Sequence, residues 1–389
     1  MKLTLLTFII SFGCNLFYPE IISISKIKLD DIFFFSSVVL FFLVQISNFS
    51  RVGTKLSGVE NYSYFVLYLL LLSMFFILLT IIQITNYNMP VSYSLDIIKP
   101  IKFFFPFILF YYLNESERLL FSKKCLFLIK TYLLATFFIC IFQILFPRTI
   151  IFGFFATSVD QFQSLIQAPY GFIGNRTHAG FLGLLLFMVC LHYRFVLFSL
   201  IAFINILMHQ NKMSIICSVL ILLITFFYNE NLKKSYKLFV GLPLITFVAF
   251  ALFFIVWPVI SNLIELGVNK VHTFSHRMGM IELMVEAYNI HGISFLLLGF
   301  PDKASWDQAF DSQYILLIFR FGIVITILYM LIPIILAKMK GRLSIMYIVF
   351  VFPPLTMINT YHYRLSLVCA VAILLLINRK SITQRKWCD

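Results

Sequence analysis

"YSYFVLYLLLLSMFFILLTIIQIT", residues 62–85, is a run of 24 residues without a charged side chain. A helix needs about 20 consecutive apolar residues to cross the hydrocarbon core of a bilayer, so this run is long enough. Similar runs recur along the whole chain of 389 residues, which is 61% hydrophobic and 12% charged. Because an ordinary soluble domain carries about 25% charged residues, the composition predicts an integral membrane protein.

The runs predict an all-α, polytopic membrane protein with about 12 transmembrane helices. Backbone groups find no water in the hydrocarbon, and the alternating pattern of a transmembrane barrel is absent, so each run is expected to form a helix. We interpret residues 1–389 as a single transmembrane domain. The predicted spans are 3–23, 32–48, 62–85, 95–113, 125–146, 178–192, 194–209, 213–229, 237–260, 312–337, 343–358 and 362–378.

The basic residues set the expected orientation. Of the 30 Lys and Arg, 17 fall on the same side as the N-terminus, nine on the opposite side and four within spans. Such an excess marks the cytoplasmic side, so both termini are expected in the cytoplasm. The net charge of +14 then reflects membrane anchoring, and no nucleic-acid partner is expected.

Two outer segments, 147–177 and 261–311, are too long to be turns, and long loops of this kind are usually functional. Within the second, residues 275–292 predict an amphipathic helix on the membrane surface. Its apolar face consists of Ile281, Met284, Val285 and Tyr288. Its two glutamates are either solvated residues of a lid helix or catalytic carboxylates, and both interpretations stay open.

Arg176 and His178, in "GFIGNRTHAG" (171–180), lie where the first outer loop meets the sixth span. A guanidinium donates bidentate hydrogen bonds to phosphate, and a helix N-terminus favours anions through its free N–H groups and its dipole. The pair therefore indicates a phosphate or diphosphate site, with an ordinary interfacial arginine as the alternative.

Other cations lie at the outer ends of the predicted spans. Arg320 follows Asp311 by nine residues, about 13 Å deeper along a helix, where an arginine is expected to face a wet cavity or an anion. Lys212 and Arg364 either line the same cavity or snorkel to the surface. Lys102 follows Pro100 in the fourth span, and a kink there would offer this lysine to a cavity. The pattern predicts a cationic outer vestibule for an anionic headgroup on a lipid.

Metal and cofactor chemistry has no support in the sequence. The seven cysteines show no paired spacing typical of a zinc site or a disulfide framework. The outer segments hold neither a metal-binding aspartate pair nor a phosphate-binding glycine loop. A metal-independent reaction without a cofactor is expected.

Four segments in this order resemble the O-antigen polymerase and ligase superfamily. They are "APYGFIGNRTHAGFLGLLLF" (168–187), "QNKMSIICSVLILL" (210–223), "HRMGMIELMVEAYNIHGISFLLLGF" (276–300) and "DSQYILLIFRFGIVITILYMLIP" (311–333). Asp311 stands where the ligase branch usually has histidine, which favours the Wzy-type polymerase branch. The chain departs from the pattern at Lys212, where arginine is more usual, and in "LLGF", which lacks a second glycine.

The resemblance implies a GT-C-like fold and a reaction on the periplasmic face of the bacterial inner membrane. A growing glycan on undecaprenyl diphosphate is transferred to a single lipid-linked repeat unit. Arg176 and Arg277 are expected to bind the diphosphate, and Asp311 to act as the base, with His178 and His276 as rivals. Substrate binding is assigned to Asn175, Lys102, Lys212, His276, Tyr314, Arg320 and Arg364.

Two other functions stay open. An O-antigen ligase would transfer the finished polymer to the lipid A core, and a flippase would transport the lipid-linked oligosaccharide. Transporters usually carry charges near the bilayer midplane and internal repeats, whereas the polar residues here cluster at one face. The expected partners are undecaprenyl-diphosphate-linked oligosaccharides, the bilayer and a chain-length regulator of the O-antigen pathway.

Overall fold

The structure is a computed structural model that describes nine stretches of the chain and a few isolated residues. These are residues 2–17, 29–48, 60–87, 98–146, 169–173, 175–227, 272–299, 312–340 and 365–377, with 243, 246, 349, 350 and 353. Helix accounts for 92% of the described residues, and none of them lies in a strand. The prediction of an all-α protein is confirmed for this part of the chain.

The structure describes twelve helices. They are α1 (Lys2–Phe17), α2 (Leu29–Asn48), α3 (Glu60–Tyr87), α4 (Ile98–Tyr112), α5 (Glu115–Leu145), α6 (Arg176–His192), α7 (Val196–Met208), α8 (Lys212–Phe227), α9 (His272–His291), α10 (Ile293–Leu298), α11 (Gln313–Lys340) and α12 (Leu365–Ile377). Ten of them coincide with predicted spans, whereas α9 and α10 lie in the predicted outer segment 261–311. The spans predicted at 237–260 and 343–358 lie almost entirely outside the described residues. The count of about 12 spans and the GT-C-like arrangement stay predictions.

Three described helices are long and apolar enough to cross a membrane. Their apolar stretches are Tyr64–Ile82 in α3, Glu115–Leu145 in α5 and Gln313–Ile332 in α11. Six shorter apolar helices accompany them, each below the length of about 20 residues that a bilayer requires. These helices support a membrane protein.

The chain divides into two compact units. The first comprises residues 1–84, 90–211 and 359–389, and the second comprises residues 85–89 and 212–358. The first unit therefore contains α1, α2, α3 except its last three residues, α4 to α7 and α12, and the second contains α8 to α11. The prediction that residues 1–389 form a single transmembrane domain stays a prediction.

α5 begins earlier than its apolar run. The sequence predicts a cytoplasmic loop over 114–124, but the helix starts at Glu115. The side chain of Asn114 accepts a hydrogen bond from the Glu117 N–H, and the Glu117 carboxylate accepts one from the Asn114 N–H. This reciprocal capping box satisfies two N–H groups at the helix start, so the loop prediction is wrong.

Contacts in the first unit give the relative directions of its helices. Phe8 contacts Phe121, and Phe17 contacts Tyr132, at ring-centroid distances of 5.9 and 5.5 Å. α1 and α5 therefore run parallel. The Tyr193 hydroxyl, directly after α6, donates to the carbonyl of Leu375 near the end of α12 at 2.7 Å.

α9 forms over 272–291, which confirms the helix predicted at 275–292. Among the side chains described, which are those of 279–291, Met280 and Ala287 are buried, whereas Ile281, Val285 and Tyr288 of the predicted apolar face are exposed. Protein packing therefore uses a different face from the one that the sequence pattern indicates. The exposed apolar face agrees with a helix that contacts lipid.

α11 is not the single straight span predicted at 312–337. Gly322 has φ 79° and ψ 171°, so it breaks the helix into two arms. The Gln313 side-chain amide lies 3.8 Å from the sulfur of Met330, 17 residues away. A continuous helix would separate these residues by about 25 Å, beyond the reach of both side chains, so the second arm folds back along the first. α11 therefore has the length and composition of a membrane span but does not form one straight helix over 313–332.

Two glycines bring the backbones of α10 and α11 into contact at this reversal. A Cβ on Gly322 would lie 2.5 Å from the carbonyl of Leu297, and a Cβ on Gly299 would lie 2.5 Å from the carbonyl carbon of Arg320. Both glycines have positive φ, 79° and 74°, which residues with a Cβ rarely adopt. Sterics and conformation thus require glycine at both positions.

Gly322→Ala is expected to destabilise the protein by more than about 3 kcal/mol, because a backbone clash adds to the strain of a left-handed alanine. The measurement is thermal unfolding of the detergent-solubilised protein. Gly292→Ala separates the two effects, since Gly292 has φ 57° with nothing within 4 Å of its Cβ position. Gly279→Ala, in open space within α9, should be neutral or stabilising, and an equally stable Gly322→Ala protein would contradict the packing described.

Candidate functional site

The turn at 169–173, which precedes α6, is anchored to α5 by one glutamine. The Gln143 side-chain oxygen accepts hydrogen bonds from the N–H groups of Tyr170, at 3.1 Å, and Gly171, at 2.9 Å. Its amide nitrogen donates to the Gly171 carbonyl at 3.3 Å. Gln143, Tyr170 and Ile173 are all buried. A single side chain thus satisfies three backbone groups of the turn.

α7 holds the same segment from the other side. The Nδ1 of His209, the residue that follows α7, lies 2.9 Å from the Pro169 carbonyl. The Asn211 side-chain amide donates to the Thr177 carbonyl at 3.3 Å. Further down α7, Asn205 donates to the Leu133 carbonyl at 3.1 Å, which fixes α7 on α5. The turn and the start of α6 are therefore attached to two helices.

The 169–173 turn lies beside α5 rather than beyond its end. Gly171 faces Thr136 and Cys140, and the Phe172 ring lies 5.9 Å from the ring of Tyr132. Thr136 precedes the end of α5 by nine residues, about 13 Å along the helix. The turn thus lies within the bundle, alongside the last turns of α5. Irregular backbone at such depth is tolerated only where protein or a water-filled cavity surrounds it.

Arg176 is the first residue of α6 and is exposed. Asn175 caps the helix, because its side-chain oxygen accepts from the N–H groups of Thr177, at 2.8 Å, and His178, at 3.3 Å. The sequence predicts free N–H groups at this helix start, but the N–H groups of Thr177 and His178 are already bonded to Asn175. An anion here would therefore depend mainly on the guanidinium and the helix dipole.

The charge distribution along α5 belongs to the pattern on which the predicted orientation rests. Arg118, Lys123 and Lys124 lie in its first turns, whereas 131–145 contains no charged residue. Basic residues are enriched at the cytoplasmic ends of spans, so the predicted orientation places the end with Gln143, near which α6 starts, on the outer side. This orientation stays a prediction.

Lys102 lies in a buried cluster of charged residues. Its side chain is fully buried, and its ammonium lies 2.7 Å from an Asp30 carboxylate oxygen and 2.5 Å from an Asp31 oxygen. Asn15 donates to the same Asp30 oxygen at 2.9 Å, and the Ser11 hydroxyl donates to the Asp30 carbonyl at 2.8 Å. The predicted substrate ligand is thus part of an ion cluster that joins α1, α2 and α4.

The remaining predicted residues belong to the second unit or lie outside the description. Lys212 starts α8 and is exposed, Tyr314 is half-buried at the start of α11, and Arg320 is buried next to the Gly322 reversal. His276 and Arg277 lie in the first turns of α9, and the structure describes their backbone only. Asp311 and Arg364 lie outside the described residues.

Asn175, Arg176 and His178 are neighbours in the sequence and lie together at the start of α6, and Gln143, His209 and Asn211 support this segment from α5 and from the end of α7. The sequence patterns did not single out these three supporting residues. Each is a polar residue inside or directly after an apolar run, and polar residues at such positions usually have a structural or functional partner. Among the residues that the structure describes, no group of three or more His, Cys, Asp or Glu is placed to hold a metal ion.

Neither a protein-family model nor a curated protein matches the chain. The resemblance of the four segments to O-antigen polymerases therefore stays a prediction.

Lys102→Met is expected to destabilise the protein by about 3–5 kcal/mol, because it leaves two buried carboxylates without their shared cation. Adding Asp30→Asn and Asp31→Asn removes those charges and should restore most of the stability. Thermal unfolding in detergent measures both effects. A stable Lys102→Met protein that has lost activity would instead show that the lysine serves a ligand.

Arg176 and Arg194 lie at opposite ends of α6, and both are exposed. We expect an impermeant maleimide to label the Arg176→Cys protein in cells whose outer membrane alone is permeable, and the Arg194→Cys protein only after the inner membrane is opened. The described native cysteines are buried or half-buried, so the unmodified protein is the background control. The reverse labelling pattern would contradict the orientation.

Proposed function

We propose that the protein is an O-antigen polymerase that joins undecaprenyl-diphosphate-linked repeat units on the periplasmic face of the inner membrane. The observation that carries the proposal is that Arg176 is exposed at the first residue of α6, a helix end that the charge pattern predicts to be extracytoplasmic. A fixed cation at the outer end of an apolar bundle suits a substrate with an anionic diphosphate and a polyprenyl tail. The glycan-transfer reaction is implied by the resemblance of four segments to O-antigen polymerases, which are 168–187, 210–223, 276–300 and 311–333.

The proposed reaction needs no energy source other than its substrates. The acceptor hydroxyl oxygen forms a bond to the anomeric carbon of the growing glycan, while the bond from that carbon to the diphosphate oxygen breaks. Undecaprenyl diphosphate leaves with the electron pair, and the hydroxyl proton passes to a base. Arg176 would stabilise the charge that develops on the leaving diphosphate, and such stabilisation is often the largest catalytic effect.

His178 follows Arg176 by two residues, and its backbone N–H is held by the Asn175 cap. Its imidazole is half-buried. In this proposal it is a rival of Asp311 and His276 for the role of the base, since imidazole accepts a proton near neutral pH. The roles of Arg277 as a diphosphate ligand and Asp311 as the base are implied by the resemblance and stay predictions.

Arg176→Gln tests the proposal, with Arg194→Gln as its matched control. Loss of the guanidinium should lower the rate of polymerisation about 10²–10³-fold, which is typical for the removal of one stabilising donor. The control removes the same charge at the other end of α6, and its rate should change less than twofold. Both variants are introduced into a deletion strain at equal membrane level, and the O-antigen ladder is compared.

The same assay performed in vitro separates catalysis from regulation by the cell. Purified protein in nanodiscs is given a lipid-linked repeat unit, and the products are counted by chain length. Normal chain extension by Arg176→Gln would remove Arg176 from the active site and leave the proposed function without its carrying observation.

A lipid-linked oligosaccharide flippase is the second candidate, and the buried cluster of Lys102, Asp30 and Asp31 favours it. Ionisable residues enclosed between transmembrane helices often mark ion or substrate pathways. The deletion phenotype separates the two functions. Loss of a polymerase leaves the lipid A core capped with one repeat unit, whereas loss of a flippase leaves no repeat unit outside the cytoplasm.

A further inference from the structure

We infer that Gln143 is a positioning residue, which holds the guanidinium of Arg176 in place through the 169–173 turn. The inference rests on the proposed function, in which Arg176 binds the substrate diphosphate. Gln143 itself is fully buried and lies in α5, so it acts through Arg176 and not on the substrate.

The Gln143 side chain makes the kind of hydrogen bonds to the turn that a neighbouring backbone segment would make. Its oxygen accepts from two consecutive N–H groups, at Tyr170 and Gly171, and its nitrogen donates to the Gly171 carbonyl. Buried backbone groups are almost always paired, and water is scarce at this depth. If the glutamine amide were lost, these three groups would have to move to find new partners.

The turn packs closely against α5 at Gly171. Gly171 has φ 60°, and a Cβ on it would lie 2.9 Å from the Thr136 methyl group. On the two sides of Gly171, Tyr170 and Ile173 are enclosed. A closely packed interior does not deform gradually, so a turn that loses its hydrogen bonds is expected to shift as a whole.

Any shift of the turn reaches Arg176 over a short path. Only four residues lie between Gly171 and Arg176, and the cap of Asn175 holds the first turn of α6 together. A displaced turn therefore pulls on the first residue of α6, against the bond from Asn211 to Thr177. A displacement of about 1 Å at a substrate-binding group can lower the rate about 10²-fold.

Gln143→Leu removes all three hydrogen bonds at similar volume and should lower the rate of polymerisation about 10²-fold. Gln143→Glu keeps an acceptor for the two N–H groups but faces the Gly171 carbonyl with a second acceptor, so its rate should lie between those of wild type and Gln143→Leu. Gln210→Leu is the matched control, because Gln210 is exposed at the same end of the unit. Rates are compared at equal amounts of folded protein.

A double-mutant cycle with Arg176→Gln distinguishes positioning from an independent role. If Gln143 acts through Arg176, the Gln143→Leu/Arg176→Gln protein should be no slower than Arg176→Gln alone, within about threefold, since residues that act as a unit are non-additive. Rate losses that multiply would overturn the inference.

A second measurement does not depend on the reaction. In the Arg176→Cys background, Gln143→Leu should change the rate of thiol alkylation by an impermeant maleimide at least threefold, while Gln210→Leu should leave it unchanged. An unchanged alkylation rate with Gln143→Leu would also overturn the inference. If Arg176→Gln polymerises normally while the alkylation rate still responds to Gln143, the proposed function fails and the positioning role of Gln143 stands.

Discussion

Both units depend on one constraint, which is that backbone N–H and C=O groups inside a bilayer need partners within the protein. Helices meet it by themselves, but the 169–173 turn and the reversal at Gly322 do not. At the turn, the partners come from the side chains of Gln143 and His209. At the reversal, the Thr326 hydroxyl donates to the Gly322 carbonyl at 2.8 Å. Irregular backbone is thus found where a polar side chain of a neighbouring turn or helix can reach it.

The same constraint governs the charges inside the first unit. Asp30 and Asp31 start α2, Lys102 lies near the start of α4, and Asn15 lies near the end of α1. The cluster brings these three helix ends together, as expected when α1 and α2 cross in opposite directions and α4 enters from the same side as α2. Burial of the cluster requires each charge to keep its partner, so the pairing also fixes the order of the helices around it.

Hydropathy predicted where the described helices lie, because the length of an apolar run and its lack of charge are properties of the local sequence. It placed the start of α5 too late, although the capping pair Asn114 and Glu117 is visible in the sequence. It could not predict the reversal of α11, since the residues on both sides of Gly322 are equally apolar. Nor could it pair Lys102 with Asp30, because the two are 72 residues apart and only packing brings them together. The sequence could have marked Gln143 as a polar amide in an apolar run, but it could not predict that Gln143 bonds to the 169–173 turn.

A cation that stabilises a developing charge is effective only if it is held in position before the reaction begins. Arg176 is exposed and has a long, flexible side chain, so its position depends on the backbone that carries it. That backbone is held by the enclosed 169–173 turn, which is hydrogen-bonded to α5, and by the cap of Asn175, which fixes the first turn of α6. Apolar packing around Tyr170 and Ile173 makes this support resistant to water. In the proposed function, the exposed guanidinium of Arg176 would meet a lipid-linked substrate, while the buried and hydrogen-bonded turn keeps its backbone fixed.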